Sequence, residues 1–306
     1  MWIADGWKDY ELLDCGGGEK LERWDKQILV RPDPQAIWET DHSHPGWRRA
    51  NGRYSRSSSG GGHWDKGKLP ESWPIHYKEL TFQVKPMNFK HTGLFPEQAA
   101  NWDFAMEQIR RAGRPIRVLN LFAYTGGATV ACAKAGASVC HVDAAKGMVA
   151  WAKENARLTG LQEAPIRWIV DDCAKFVERE IRRGKTYDAI IMDPPSYGRG
   201  TRRRGVEAGG EPVPFVKLCA RVLSDKPLFV ILNSYTTGAG SVGAGVHSAD
   251  AGGQALRRQG DVGRAGPAVY AVRYGAALRR YRPVDGGITR LIRTKRETAG
   301  CKRRVQ

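Results

Sequence analysis

Apolar and polar positions between residues 116 and 232 fall into two alternating kinds of segment. Short, nearly unbroken apolar runs at 116–122, 138–142, 166–170, 187–192 and 228–232 have the character of strands covered on both faces. Segments with small-residue or amphipathic helical spacing lie between them, and they end near Gly136, Gly160 and Gly184. Strands that alternate with helices predict an α/β fold, a Rossmann-like doubly wound parallel sheet. The first strand breaks into Thr125-Gly126-Gly127 and then opens a helix, the first half of a nucleotide-binding βαβ unit.

The chain before this sheet has a different period. Short alternating runs at 27–30 and 80–84 predict antiparallel strands, hence a small β-rich N-terminal domain over residues 1–84. A polar, glycine-rich stretch at 55–64 reads as a long mobile loop. Seven tryptophans fall within residues 1–73, most of them expected in the core and a few available for base stacking. The sheet domain is assigned to residues 85–237. Its opening stretch, KPMNFKHTGLFPEQAANWDF, turns helical at Pro96 and reads either as an interdomain hinge or as a lid whose His91, Thr92, Phe95 and Glu97 reach a bound cofactor. Residues 200–212 form a basic, glycine-rich loop. It is either a solvated surface or a grip on a phosphate backbone through Arg202, Arg203 and Arg204.

From 238 to 306 the chain is rich in Gly, Ala and Arg and keeps no clean period. The one or two further strands that such a sheet should receive are not evident there. This region is expected to be atypical, a frame-shifted or disordered ending, and independent sequencing of the gene tests that expectation. It also changes the meaning of the net charge of +17. Residues 238–306 hold 14 Lys and Arg against 4 Asp and Glu, so ten of the excess positive charges fall there. The basic bias of the rest is mild. No apolar run approaches the length that spans a membrane, and the first residues do not have the pattern of a signal peptide. Six scattered cysteines without CxxC spacing indicate neither a metal site nor a disulfide framework, so a reducing cytoplasm is expected.

Three acids lie at the carboxyl ends of successive strands: Asp143, Asp172 (or Asp171) and Asp193. In an open α/β sheet that edge is the ligand edge. Asp143 stands 17 positions beyond Gly126, close to the roughly 20-residue offset at which such folds place an acid on a ribose. Asp171 or Asp172 can sit beside an adenine amino group, and the glycine turn lets a ligand approach the backbone. The turn lacks the full GxGxxG of a pyrophosphate site, and Asp-Pro-Pro has no standard role in hydride transfer, so an adenosine without phosphates suits the site better than a dinucleotide.

The runs VLNLFAYTGGATVACAKAGA, VCHVDAAKGMVAWAKENARLTGL, IVDDCAKFVERE and YDAIIMDPPSYGRG resemble class I S-adenosylmethionine-dependent methyltransferases. More narrowly, they are similar to the bacterial group related to the large-subunit ribosomal RNA cytosine and guanine methyltransferases. The similarity covers roughly residues 80–237. It implies that Asn120, Phe122, Thr125 and Gly126 line the methionine side of S-adenosylmethionine. Asp143 would hold the ribose, and Asp172 with Cys173 would flank the adenine. Asp193, Pro194, Pro195 and Tyr197 would face the methyl acceptor, with Tyr197 stacking on an extruded base. Carbon-5 methylation of cytosine needs a cysteine nucleophile. The resemblance puts that cysteine after the fifth strand, where this chain reads Ile231-Leu232-Asn233-Ser234-Tyr235. The expected activity is therefore methylation of RNA, ribosomal RNA foremost, at a base nitrogen in preference to cytosine carbon-5. The alternatives are an inactive RNA-binding protein of the same fold and a methyltransferase of a small molecule or a protein.

Overall fold

The computed structural model describes residues 4–57, 61–194, 213–234, 268–273 and 292–294. Its centre is a seven-stranded sheet in the order β10-β9-β8-β11-β12-β13-β14. The strands are β8 (Arg117–Leu121), β9 (Ser138–Asp143), β10 (Ile166–Val170), β11 (Ala189–Met192), β12 (Phe229–Ser234), β13 (Ala268–Arg273) and β14 (Ile292–Thr294). The first five positions run parallel, and β13 and β14 add antiparallel at one edge. Strand order reverses between β8 and β11, the place where a doubly wound sheet leaves a crevice at its carboxyl edge.

The period of each buried strand explains how it is covered. Val118, Ala189, Ile191, Phe229 and Ile231 face α1 (Ala99–Arg111) and α2 (Gly127–Lys134), where they meet Phe104, Ile109, Cys132 and Ala133. Leu119, Leu121, Val142, Ile190, Met192 and Val230 point the other way. They pack on Phe176 and Val177 of α4 (Cys173–Arg182) and on Phe215 and Cys219 of α5 (Val213–Ala220). Helix α3 (Lys146–Leu158) joins β9 to β10 and buries Val149, Trp151 and Ala152. Both faces of the inner parallel strands are thus dry, as continuous apolar runs require, while β10 at the sheet's edge leaves Arg167 and Val170 exposed.

The N-terminal region is β-rich as expected. Strands β1 (Tyr10–Gly16), β2 (Glu19–Trp24), β3 (Gln27–Pro32), β4 (Gly52–Arg56) and β5 (Gly62–Asp65) form one sheet, antiparallel except where β3 meets β4. A hairpin of β6 (Trp73–Tyr77) and β7 (Leu80–Val84) leads away from it. Ile75, Phe82 and Val84 of this hairpin share an apolar cluster with Trp102 and Met106 of α1 and Val130 of α2, so the hairpin lies against the helices of the parallel sheet.

Two sequence expectations are corrected. The stretch 55–64 is not a long loop: β4 and β5 pair as a hairpin through Tyr54↔Trp64, Ser55↔His63 and Arg56↔Gly62. The Tyr54 and Trp64 rings meet edge-on at 5.5 Å, a cross-strand contact hidden by the glycines and serines between them. The region after 238 does supply strands, because β13 pairs along all of β12 and β14 pairs with β13. The short run AVYAVR is enough for a strand held by main-chain bonds between β12 and β14, and its Gly- and Arg-rich surroundings mask it. The basic loop 200–212 lies outside the described residues. No helix among them is long and apolar enough to cross a membrane.

Candidate cofactor site

The site is built on the turn between β8 and α2. Phe122 (φ 53°) and Tyr124 (φ 51°) are both left-handed, a conformation that non-glycine residues adopt only when their surroundings hold them there. Three bonds do so. Ala123 N donates to Val142 O at 3.1 Å, Tyr124 N to Asp143 Oδ2 at 2.8 Å, and Phe122 N to Cys173 Sγ at 3.3 Å. The left-handed Gly126 (φ 80°) then caps α2. The expected ligand approach over the two glycines meets protein instead. A Cβ at position 126 would lie 2.8 Å from the Ala152 Cβ, and one at position 127 would lie 2.7 Å from the Trp102 ring. Their missing side chains allow close helix packing.

The strand-end acids have distinct partners. Asp143 accepts one main-chain bond on each oxygen, from Tyr124 N and from Ala145 N at 2.8 Å. A carboxylate so held keeps further lone pairs, and its position is fixed. Asp172 caps α4 by accepting from Lys175 N at 3.0 Å, while Asp171 pairs with Arg179. Between the alternatives left open for these two acids, Asp171 is the one engaged in an ion pair. Cys173 turns its thiol inward. Burial pushes that thiol up to about 12, so only its main chain can meet a ligand. Val170, across from Asp143 in the β9–β10 ladder, is 50 % exposed and offers an apolar surface at the same edge. Nothing in the period of β10 distinguished it from a core residue.

Asn120 does not present its amide to the edge. Its Nδ2 donates to Thr129 Oγ1 at 2.9 Å, and Thr129 lies 2.9 Å from His141 Nδ1, all three buried beneath the turn. Burial holds His141 down at about 3. Because folding lowers this pKa, the unfolded chain binds more protons below the ordinary value near 6.5. The stabilisation is complete above that pH and is lost as pH falls toward 3. Unfolding free energy measured between pH 6.5 and 4 should drop by about 1.4 kcal/mol per pH unit from this group, and His141→Gln should remove that slope. A slope unchanged by the substitution would assign the acid sensitivity elsewhere.

Residues 85–95 behave as a strap against the turn. Thr125 Oγ1 donates to Gly93 O, the Tyr124 hydroxyl meets Met87 Sδ at 3.1 Å, and the Phe95 ring packs on Tyr124 at 5.6 Å. Asn155 of α3 ties both sides, accepting from Gln83 N and donating to Thr125 O. His91 stacks edge-on with Phe95, and burial together with the charges of Arg31, Lys90 and Lys20 pushes it down to about 4. Thr92 is fully buried, and its hydroxyl has no partner among the described residues. Glu97 lies in the 3-10 turn Pro96–Gln98 that leads into α1.

Asp193 and Pro194 follow β11 directly at the sheet's carboxyl edge, with Asp193 half-buried and Pro194 buried. Pro195 and Tyr197 lie outside the described residues. One residue past Leu232, the partner of Met192 in the β11–β12 ladder, Asn233 enters a cluster that the sequence did not reveal. Asn101 Nδ2 donates to Gln98 Oε1 at 2.7 Å and to Asn233 Oδ1 at 3.1 Å, and Asn233 Nδ2 reaches Gln98 Oε1 at 3.2 Å. The only hint was amides at positions where α1 and β12 otherwise bury apolar groups.

The donor set at this edge fits an adenosine-bearing cofactor. A fixed carboxylate suits a vicinal diol, an apolar surface suits a base, and a strained turn brings main chain to the ligand edge. Comparisons with known proteins agree. A profile for S-adenosylmethionine-dependent methyltransferases matches residues 37–204, more than half of the chain. A methyltransferase of that description from Agrobacterium tumefaciens is 41 % identical and superposes with a TM-score of 0.71 over 76 % of this chain and 75 % of its own. A proposed methyltransferase solved with SAH shares the fold at 22 % identity and a TM-score of 0.60, over 75 % of this chain and 62 % of its own. Proteins named ribosomal RNA large subunit methyltransferase K/L are similar too. The one from Marinobacter nauticus is 30 % identical over 54 % of this chain, and one from Shewanella baltica is 34 % identical over 40 %. The chain spans only about a fifth of the length of these relatives, 22 % and 16 %. The strained turn, the acids at the strand ends and the profile match agree: this chain belongs to the S-adenosylmethionine-dependent methyltransferase family, and its cofactor is S-adenosylmethionine.

Proposed function

We propose that the chain methylates RNA, ribosomal RNA foremost, at a base nitrogen. The observation that carries the choice of atom is Asn233. It lies within Ile231-Leu232-Asn233-Ser234-Tyr235, the cysteine-free stretch where the resemblance puts the nucleophile of a carbon-5 enzyme, and its amide is locked to Gln98 and Asn101. The five cysteines among the described residues are all buried. Burial raises the Cys219 thiol far from the thiolate form, the opposite of what a nucleophile needs. The choice of RNA rests on the names of the ribosomal RNA methyltransferase relatives and on the mild basic bias of the chain.

When bound, S-adenosylmethionine supplies a methyl group already activated by its sulfonium. The protein's task is then to hold the acceptor in line with that methyl. Asp143 takes the ribose hydroxyls, and Asp172 with the Cys173 main chain and Val170 borders the adenine. Phe122, Thr125 and Gly126 shape the methionine side, with Asn120 supporting the turn from below. His91 and Thr92 belong to the strap packed against it, and Glu97 lies in the 3-10 turn that follows the strap. Asp193 accepts the proton of the acceptor amine or ring nitrogen and Pro194 borders the acceptor, while Pro195 and Tyr197, outside the described residues, keep the acceptor-side role that the resemblance implies.

Asp143→Ala should weaken cofactor binding by about 1–3 kcal/mol, because it removes a charged hydrogen-bonding partner. Titration calorimetry measures this directly, and an unchanged affinity would move the ribose elsewhere. Substrate class is tested by transfer of tritiated methyl to unmodified total RNA, with bulk protein as the parallel acceptor. Label in RNA that digests to an N-methylated nucleoside is the expected result. Label in protein alone would overturn the RNA assignment, and 5-methylcytidine would overturn the choice of atom. Cofactor binding without transfer to either pool would favour the inactive RNA-binding reading.

A further inference from the structure

The strap has an outer face as well as the inner one that meets the turn. Phe89 is 61 % exposed there, one of four large apolar side chains left open among the described residues. A single exposed ring needs no explanation by itself. Its setting does. Trp64 Nε1 donates to Phe89 O at 3.0 Å, so the β4–β5 hairpin pins the main chain under the ring. Lys90, the next residue, anchors its Nζ on Pro32 O at 3.1 Å. Burial, with Lys20, Arg56 and Arg31 close by, lowers the Lys90 pKa, and Asp33 opposes them. Arg31 is already neutralised by Glu22 at 2.6 Å, and Lys20 lies 3.2 Å from the same carboxylate. One carboxylate balances only one of these two cations, so Lys20, Arg31, Lys90 and the exposed Arg56, against Glu22 and Asp33, leave a net positive charge around the base of the strap that carries the ring.

An open aromatic face set among cations is complementary to a polyanion with π-faces. Single-stranded nucleic acid is that polyanion, since a base stacks on the ring while phosphates meet the cations. The position also suits a substrate. Phe89 is two residues from Met87 and four from Gly93, and both of these touch the cofactor turn. At most about 3.6 Å per residue puts the ring's Cα within about 15 Å of Gly93. We propose that the outer face of the strap, centred on Phe89 with Lys90 and Arg56 beside it, docks single-stranded RNA next to the methylated base. This rests on the RNA-substrate reading above and adds a surface to it.

The test is fluorescence anisotropy of a labelled single-stranded RNA oligonucleotide on the whole chain, with S-adenosylhomocysteine saturating. Phe89→Ala should weaken binding about 5- to 150-fold, the range for loss of one base–aromatic stack, and Phe89→Trp should restore it. The double variant Arg56→Gln/Lys90→Gln should flatten the slope of log affinity against log salt by about 1.4, at about 0.7 per phosphate contact on a single strand. Cofactor affinity should hold in every variant. RNA binding by Phe89→Ala equal to that of the unmodified chain would overturn the docking surface and leave the RNA substrate standing. Equal losses of RNA and cofactor affinity would also overturn it, making the ring a support of the strap. An unmodified chain that binds cofactor and a protein acceptor but no RNA would overturn both readings together.

Discussion

Asp193→Ala is expected to slow methyl transfer by about two to four orders of magnitude, the range associated with a positioned proton acceptor, while cofactor affinity stays nearly unchanged. The geometry separates the two effects. Asp193 directly follows Met192, which lies in the ladder between Leu121 and Leu232, so its main chain is fixed by both neighbours. Asp143 ends β9, two strands away across β8, or about 10 Å at the usual strand spacing. Single-turnover transfer to RNA reads the first effect, and a calorimetric titration of S-adenosylmethionine reads the second. Asp193→Asn is the sharper probe, because it keeps the shape and one acceptor oxygen while removing the charge. A rate as low as that of the alanine variant would assign the role to the carboxylate as a proton acceptor. Full activity in either variant, or cofactor affinity falling in step with the rate, would refute the assignment of Asp193 to the acceptor side.

The acids at the ends of β9 and β11 were legible because their position follows from strand period alone. A parallel strand ends where its apolar run ends, and the next residue faces the ligand edge. The fold was legible for the same reason, since β8, β9, β11 and β12 are covered on both faces and therefore read as apolar runs, and even β10 at the sheet's edge keeps Ile166, Trp168 and Ile169 partly buried. What the sequence hid depended on partners distant in the chain. Asn120 looked like a ligand group, yet α2 lays Thr129 over it and β9 adds His141, which a one-dimensional pattern does not show. Gln98, Asn101 and Asn233 lie up to 135 positions apart and make sense only as a cluster. Strand β13 is only six residues long and is held between β12 and β14, so the Gly- and Arg-rich region around it concealed it.

The N-terminal sheet holds the least legible feature and the second large effect. In β2, Glu22 lies two residues from the fully buried Trp24 and is itself fully buried, so it reads as a surface charge while facing inward. Arg31 of β3 meets it with two arms, Nε to Oε2 at 2.6 Å and Nη2 to Oε1 at 2.8 Å, and the Tyr10 hydroxyl adds a bond at 2.9 Å. Burial alone would raise this carboxyl, yet Arg31 and Lys20 hold it at about 2. Glu22→Gln leaves a buried guanidinium without its countercharge and should cost about 3–5 kcal/mol in urea unfolding at pH 7. The pH dependence follows from the depressed value. The contribution of Glu22 is complete above its ordinary value near 4.5 and is lost as pH falls toward 2, so Glu22→Gln should flatten the acid limb of the stability curve. The paired variant Glu22→Leu/Arg31→Leu removes both buried charges and should recover part of the loss, Lys20 at the rim losing its carboxylate partner. It cannot recover the third arm of Arg31, whose Nη1 donates to Lys90 O at 2.9 Å and so ties the sheet to the strap beside the cofactor turn. A paired variant of normal stability with weakened S-adenosylmethionine binding would show that this buried pair positions the strap. Normal stability with normal cofactor affinity would limit the pair to holding the N-terminal sheet together.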